Sequence, residues 1–288
     1  MHSPLDSSAS PSPDAQIAST PEDADAPECQ QAAGDNSLVR SLLLKVAYDG
    51  ANYFGWQRQP DKVSVQEVLE KALRVATGQE DARAFASSRT DTGVHALAQA
   101  VLFRSTRWPA SPDNLVYALN TRLPRDVVVR ECIEVDSEFH PLRRSTGKRY
   151  RYFIYNSRKA DPIGARTHWW ICQRLNLSAM QDATEHFVGT HDFYSFQSTG
   201  SPRENTVRTV RNLTIIKKEH MDGAMYQVDI EANGFLYNMV RNIVGTLVQV
   251  GVGRQRPEWI ADVLAAHDRR VAGAAAPPQG LFLVEVLF

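Results

Sequence analysis

Ala86-Ser87-Ser88-Arg89-Thr90-Asp91-Thr92-Gly93-Val94-His95-Ala96 holds an arginine, a carboxylate, four hydroxyls and a histidine around one glycine. Small polar residues of this kind, just before an apolar run, read as a tight turn between two regular elements. Such a turn presents side chains instead of burying them. Asp91, followed by Thr92-Gly93, suits a turn whose carboxylate points off the scaffold. The elements on either side decide what scaffold that is.

Upstream, Ser41-Leu42-Leu43-Leu44-Lys45-Val46-Ala47-Tyr48 reads as a strand ending at the turn pair Asp49-Gly50. Tyr53-Phe54-Gly55-Trp56-Gln57-Arg58-Gln59 sets aromatics beside amides and an arginine. Ser64-Val65-Gln66-Glu67 is a capping box. It opens a helix with an apolar face of Val65, Val68, Leu69, Ala72, Leu73 and Ala76, and Gly78 stops it. Downstream of the turn, a strand is expected near Gln99–Arg104, a helix over Asp113–Thr121 and a strand at Val127–Val135.

Residues 139–149 read as a hinge or linker. Tyr150–Tyr155 is a strand in which aromatic and basic residues interleave. Ser178–Gln181 forms a second capping box. Strands are expected at Val207–Lys217 and Tyr226–Ala232, helices at Leu236–Val250 and Trp259–Ala266, and a last strand at Leu281–Leu287. Short spacing between several strands favours antiparallel pairing. The whole reads as α+β, with helices packed on one face of antiparallel sheets. No P-loop or dinucleotide fingerprint is present.

Composition narrows the function classes. Hydrophobic residues make up 43% and charged residues 23% of the 288, ordinary for a soluble globular protein. No apolar run reaches membrane-spanning length, and no signal peptide is evident. Cys29, Cys132 and Cys172 are widely spaced and odd in number, which argues for a reducing compartment and against a cysteine metal site. The net charge of -1 hides an asymmetry: residues 1–37 hold seven acids and no Lys or Arg. That segment reads as a disordered acidic tail, and the remainder is mildly basic, which is compatible with a polyanionic partner.

Candidate chemistry rests on few groups. Asp91 is either a turn residue or a catalytic carboxylate. Arg89 can neutralise it or bind phosphate, and His95 reads as a hydrogen-bonded structural residue. Tyr150 and Tyr152 share one side of their strand, either as core or as a stacking surface. The basic residues beside them favour nucleic acid. Arg241 lies at the edge of a packed helix face and needs an acceptor, and Gly245 lets another element approach closely. No His, Cys, Asp or Glu set has metal-ligand spacing.

With these residues in view, the chain closely resembles the bacterial TruA-type family of tRNA pseudouridine synthases. The matching pieces run in family order over residues 40–288. They include Tyr48-Asp49-Gly50, Phe54-Gly55-Trp56-Gln57-Arg58-Gln59, Arg89-Thr90-Asp91-Thr92-Gly93-Val94-His95-Ala96, Lys148-Arg149-Tyr150-Arg151-Tyr152, Gly189-Thr190-His191-Asp192-Phe193, Asn238-Met239-Val240-Arg241-Asn242-Ile243-Val244-Gly245 and Gly280-Leu281.

The resemblance implies isomerisation of uridine to pseudouridine at positions 38, 39 and 40 of the tRNA anticodon stem-loop, with no cofactor and no metal. It places Asp91 as the catalytic aspartate, Tyr150 against the target base, Arg241 paired with the carboxylate, and Arg89 at base displacement and backbone contact. Arg58, Arg143, Arg144, Lys148, Arg149 and Arg151 are the expected RNA-backbone contacts. The implied architecture is two similar α+β domains (RRM/ferredoxin-like), residues 38–140 and 141–288, around a central cleft. The enzyme is expected to be a cytoplasmic homodimer with tRNA as partner and no membrane association. Ser88 and Thr92 stand where the family usually has glycine and alanine. The rival readings are a non-catalytic RNA-binding protein of paired RRM-like sheets and a phosphotransferase using Asp91. The first leaves a carboxylate in a basic site unexplained, and the second needs Mg²⁺ ligands.

Overall fold

A computed structural model describes residues 39–198, 200 and 205–288. The acidic segment 1–37, read above as a disordered tail, lies outside the described residues. The first strand, β1 (Arg40–Tyr48), alternates in burial: Leu42, Leu44, Val46 and Tyr48 are buried, while Lys45 is exposed and ion-paired to Glu131 at 2.6 Å. Helix α1 (Val65–Thr77) starts where the capping box predicts. Ser64 Oγ accepts from the Glu67 N–H at 3.3 Å, and Gly78 ends the helix at φ 67°. A short strand β2 (Ala84–Ala86), β3 (His95–Ser105), helix α2 (Pro112–Asn120) and β4 (Val127–Val135) complete the first half.

The second half contains α3 (Pro141–Arg144), β5 (Gly147–Asn156), β6 (Trp169–Ile171), α4 (Leu177–Glu185), β7 (Gly189–Asp192), β8 (Val207–His220), β9 (Gly223–Ala232), α5 (Met239–Gly251), α6 (Trp259–Ala266) and β10 (Leu281–Leu287). The stretch 139–149 is more ordered than a linker. It forms α3 and the start of β5, because Gly147 pairs with Leu287 and the Thr146 N–H donates to Leu287 O at 2.8 Å. Helix α4 starts with Asn176 as its cap, ahead of the capping box read at Ser178.

The architecture is α+β with flanking helices, and the strands form one mixed sheet in place of separate antiparallel ones. Its order is β4-β1-β3-β10-β5-β9-β8-β7, with β2 on β3 and β6 on β5. Residues before 140 supply β1 to β4 and those after supply β5 to β10. The C-terminal strand joins the halves: β10 pairs antiparallel with β5 and parallel with β3. Long-range pairing of this kind leaves no local mark in the sequence.

One row of side chains crosses six strands on the helix-covered face: Tyr48, Ala96, Leu283, Tyr150, Ile230 and Leu213, each paired with the next and all buried. Alternation sends Arg149 and Arg151 to the other face. There they face Glu231 and Asp229, their register partners on β9.

Candidate active site

The loop between β2 and β3 is slung over that row where the two halves meet. Its backbone is tied down at every turn. Ser87 N–H donates to Ala100 O at 2.9 Å, Gln99 Nε2 to Ser88 O at 2.6 Å, and Trp56 N–H to Thr90 O at 3.0 Å. The Tyr48 and Thr90 hydroxyls lie 2.7 Å apart. Val94 N–H closes the turn on Asp91 O at 3.1 Å, and Gly93 supplies φ 78°. Gly55, also at φ 78°, passes so close that a Cβ there would stand 2.5 Å from Thr90 O. The Gly55-Trp56 motif is thus the other wall of the turn.

Asp91 is half-buried at the apex. Burial raises its pKa above the ordinary carboxylate value, and the positive charge of Arg241 pulls the other way with smaller effect. Arg241 sits in the first turn of α5. Its Nε donates to Ala276 O and its Nη1 to Asn238 Oδ1, both at 2.7 Å. These two acceptors aim the guanidinium, and it acts on Asp91 through its field. A side chain at Gly245 would collide with Ala274 O. The glycine is what lets the 273–277 strap cross α5 and reach Arg241.

Tyr150 is 7% exposed, with its hydroxyl 3.0 Å from Ser88 Oγ and its ring edge-on to Phe235 at 5.0 Å. Burial, helped by the Asp91 charge, pushes its pKa up to about 12 although the Ser88 hydrogen bond opposes this. Near neutral pH it is therefore a phenol, suited to packing and hydrogen bonding and not to taking a proton. Ser88, the residue standing in place of a glycine, has a contact of its own here. Thr92 is exposed. Tyr152 is fully buried and donates to Pro277 O at 2.7 Å, and Tyr150, also buried in the core, keeps the contact with the loop.

The structure brings Asp91, Tyr150 and Arg241 together and treats the other basic candidates differently. Arg89 is exposed, with no hydrogen bond or ion pair among the described residues. Arg58 reaches toward buried Glu70, 3.9 Å away, and keeps half its side chain exposed. Arg143 and Arg144 are exposed on α3, beside β2 and β3. Lys148 shares the Tyr150 side of β5 by alternation. Arg149 and Arg151 are not brought to the Asp91 side: they pair with Glu231 at 2.9 Å and Asp229 at 2.7 Å on the opposite face. Their odd spacing from Tyr150 already carried that information.

His95 is 2% exposed. Its Nδ1 accepts from Gly50 N–H at 3.1 Å, and its Nε2 meets Arg166 O and Gln279 O at 2.9 and 3.1 Å. Burial lowers its pKa, so it is a neutral structural ring. Tyr48 enters the site from the Tyr48-Asp49-Gly50 piece and Phe235 from just ahead of the Asn238–Gly245 piece, while Gln99 belongs to it without any motif announcing it. The one local sign is Gln99, a polar residue inside the apolar run Ala98-Gln99-Ala100-Val101-Leu102-Phe103. Among the described residues, no group of three or more His, Cys, Asp or Glu side chains could hold a metal ion.

The family model described as tRNA pseudouridine synthase matches residues 45–141 and 183–288. The chain belongs to the tRNA pseudouridine synthase family. It is 45% identical over 251 residues to the tRNA pseudouridine synthase A of Thermoanaerobacter sp. (strain X514), a match covering 87% of this chain and 100% of that one. It is 41% identical over 250 residues to that of Acetivibrio thermocellus, with 87% and 100% covered. Against that of Myxococcus xanthus it is 42% identical over 247 residues, with 86% and 91% covered. In this pseudouridine synthase, the matched stretches contain Asp91, Arg89, Arg58 and Arg241, and Tyr150 falls between them.

Proposed function

We propose that this member of the family isomerises uridine to pseudouridine at positions 38, 39 and 40 of the tRNA anticodon stem-loop, with Asp91 as the catalytic carboxylate. The observation that carries the reading is a half-buried carboxylate held at a turn apex, within electrostatic reach of a guanidinium and of a neutral buried tyrosine. A site built only to grip RNA gains nothing from a negative charge at its centre, which repels phosphate.

The reaction breaks the N1–C1′ bond, turns the base and forms a C5–C1′ bond. The C5 proton leaves and N1 gains one, so no electrons enter or leave. Asp91 in its ionised form can add to the base, add to C1′ or remove a C2′ proton. The Arg241 charge favours that ionised form. Tyr150, packed against Phe235, supplies a face on which the freed base turns. A base in a stem must first be flipped out, and exposed Arg89, two residues from Asp91, is placed to offset the lost stacking. Arg58, Arg143 and Arg144 supply exposed cations for backbone contacts that suit several adjacent target positions.

The family resemblance also supports two similar RRM/ferredoxin-like domains flanking a cleft, and a homodimer bridged by tRNA. Sedimentation with and without tRNA tests the dimer. The activity is tested with tRNA carrying tritium at uridine C5. Wild-type protein should release the label without added metal. Asp91→Asn should bind tRNA with unchanged affinity and lose at least about 10³-fold in rate. Normal turnover by that variant would remove Asp91 from the chemistry.

A further inference from the structure

Gln99 lies on β3 with none of its surface exposed. Its Nε2 donates to Ser88 O at 2.6 Å. Its Oε1 is buried and has no hydrogen-bond partner among the described residues. The amide cannot be turned over, because that would set two acceptor oxygens 2.6 Å apart. A buried amide oxygen without a partner costs stability, about 1–3 kcal/mol. A leucine would fill similar space and remove that unpaired oxygen, but it would leave Ser88 O without its donor. The amide is therefore held in place with one unpaired buried atom, and the bond it makes in return is the one to Ser88 O.

What the amide does reach is the catalytic loop. Ser88, whose carbonyl it holds, offers its hydroxyl to Tyr150 at 3.0 Å. Two residues on, Thr90 is tied to Tyr48 and to the Trp56 N–H, and Asp91 follows. The bond from Gln99 thus fixes the backbone between the point where the loop meets Tyr150 and the point where it presents Asp91.

We propose that Gln99 is a positioning residue for pseudouridine formation: its amide sets the Ser88 backbone so that Tyr150 and Asp91 address the same base. It does not itself touch the base. The inference rests on the functional reading above and adds a residue to it.

Two variants test it: Gln99→Leu and Gln99→Glu. Both are compared with wild type for kcat and KM on tRNA, melting temperature and tRNA affinity. Gln99→Leu should melt within a few degrees of wild type and keep KM within about threefold, while kcat falls about 30-fold or more. Gln99→Glu supplies a conditional rescue. A protonated carboxyl can donate to Ser88 O, and a carboxylate repels it. Burial holds such a carboxyl protonated to higher pH than usual. The titratable and charged groups along the network are Tyr48 on β1, Tyr150 on β5, Asp91 in the loop and Arg241 on α5.

The kcat of Gln99→Glu relative to wild type should therefore recover as the pH is lowered from about 8 to about 6. A folded Gln99→Leu variant with wild-type kcat overturns the proposal. So does a Gln99→Glu rate ratio that stays flat and far below one down to the lowest pH at which wild type turns over, whereas a flat ratio near one means a carboxyl protonated throughout and supports the proposal. This second result decides the matter if Gln99→Leu does not fold. Failure of the underlying reading looks different: the wild type itself would then form no pseudouridine.

Discussion

Burial and the Arg241 charge act on Asp91 in opposite directions, and burial is the larger. The consequence for stability has a definite sign. A carboxyl whose folded pKa lies above its unfolded one contributes stability below the unfolded pKa and loses that contribution as pH rises through the folded pKa. Ionised Asp91 therefore costs the fold something near neutrality. Asp91→Asn should melt at a higher temperature than wild type at pH 7, with the gap closing in acid. Calorimetry across pH checks this. Under the proposed role of Asp91 as the catalytic carboxylate, activity runs the other way, since the ionised form is the one that acts. The acid limb of the kcat profile should sit above the ordinary aspartate range, and Arg241→Gln should move it higher still by removing the opposing charge. Arg241→Lys keeps the charge but loses the planar fork that Ala276 O and Asn238 Oδ1 aim. It should cost about 10²-fold in kcat with little change in melting. A limb at the same pH in Arg241→Gln would mean that its field does not reach Asp91.

At the scale of elements, the 273–280 strap gathers more of the site than any single strand or helix. Gly273 N–H donates to Thr246 Oγ1, Ala276 exchanges hydrogen bonds with Arg241, Pro277 O receives Tyr152, and Gln279 O meets His95. The strap can lie so close because two glycines leave room. A Cβ at Gly245 would collide with Ala274 O, and one at Gly280 would stand 2.5 Å from the Tyr152 ring. Gly245→Ala should therefore lower stability by about 1–3 kcal/mol through forced backbone movement. It should also cut activity, because the strap carries an Arg241 acceptor. Gly253→Ala is the control: φ there is 77°, nothing lies within 4 Å of the added atom, and the residue is exposed. It should cost about 1 kcal/mol through backbone strain and leave kcat alone. Urea unfolding together with tritium release separates the two cases. The room at Gly245 was legible as a glycine four residues after Arg241 on one helix face, and α1 was legible from Ser64 and Gly78. The strap's destination was not, because Ala274-Ala275-Ala276-Pro277-Pro278 has no pattern that names its partners.

At the scale of the molecule, the loop 86–96 was readable as a turn because Asp91, Gly93 and the hydroxyls are local signals. What makes it a site is the row from Tyr48 to Leu213 beneath it, set by pairings between residues up to 187 positions apart in register, such as Leu283 with Ala96. Charge is the other whole-molecule property, and it is legible without coordinates. The seven acids of residues 1–37 bring a body with more basic than acidic groups to a total of -1. The family match begins at residue 45, and relatives are covered over their full length by 251 residues of this chain. Every side chain placed in the site lies after residue 47. Deleting residues 2–37 should therefore leave the melting temperature and kcat unchanged. It should tighten tRNA binding at low salt, because it removes negative charge that opposes a polyanion, and the gain should fade as salt screens it. Binding isotherms at about 50 and 200 mM salt measure this directly. Equal affinities of the full and shortened chains at low salt would show that the acidic segment's charge is not felt by the RNA. A fall in kcat on deletion would give that segment a part in the chemistry itself.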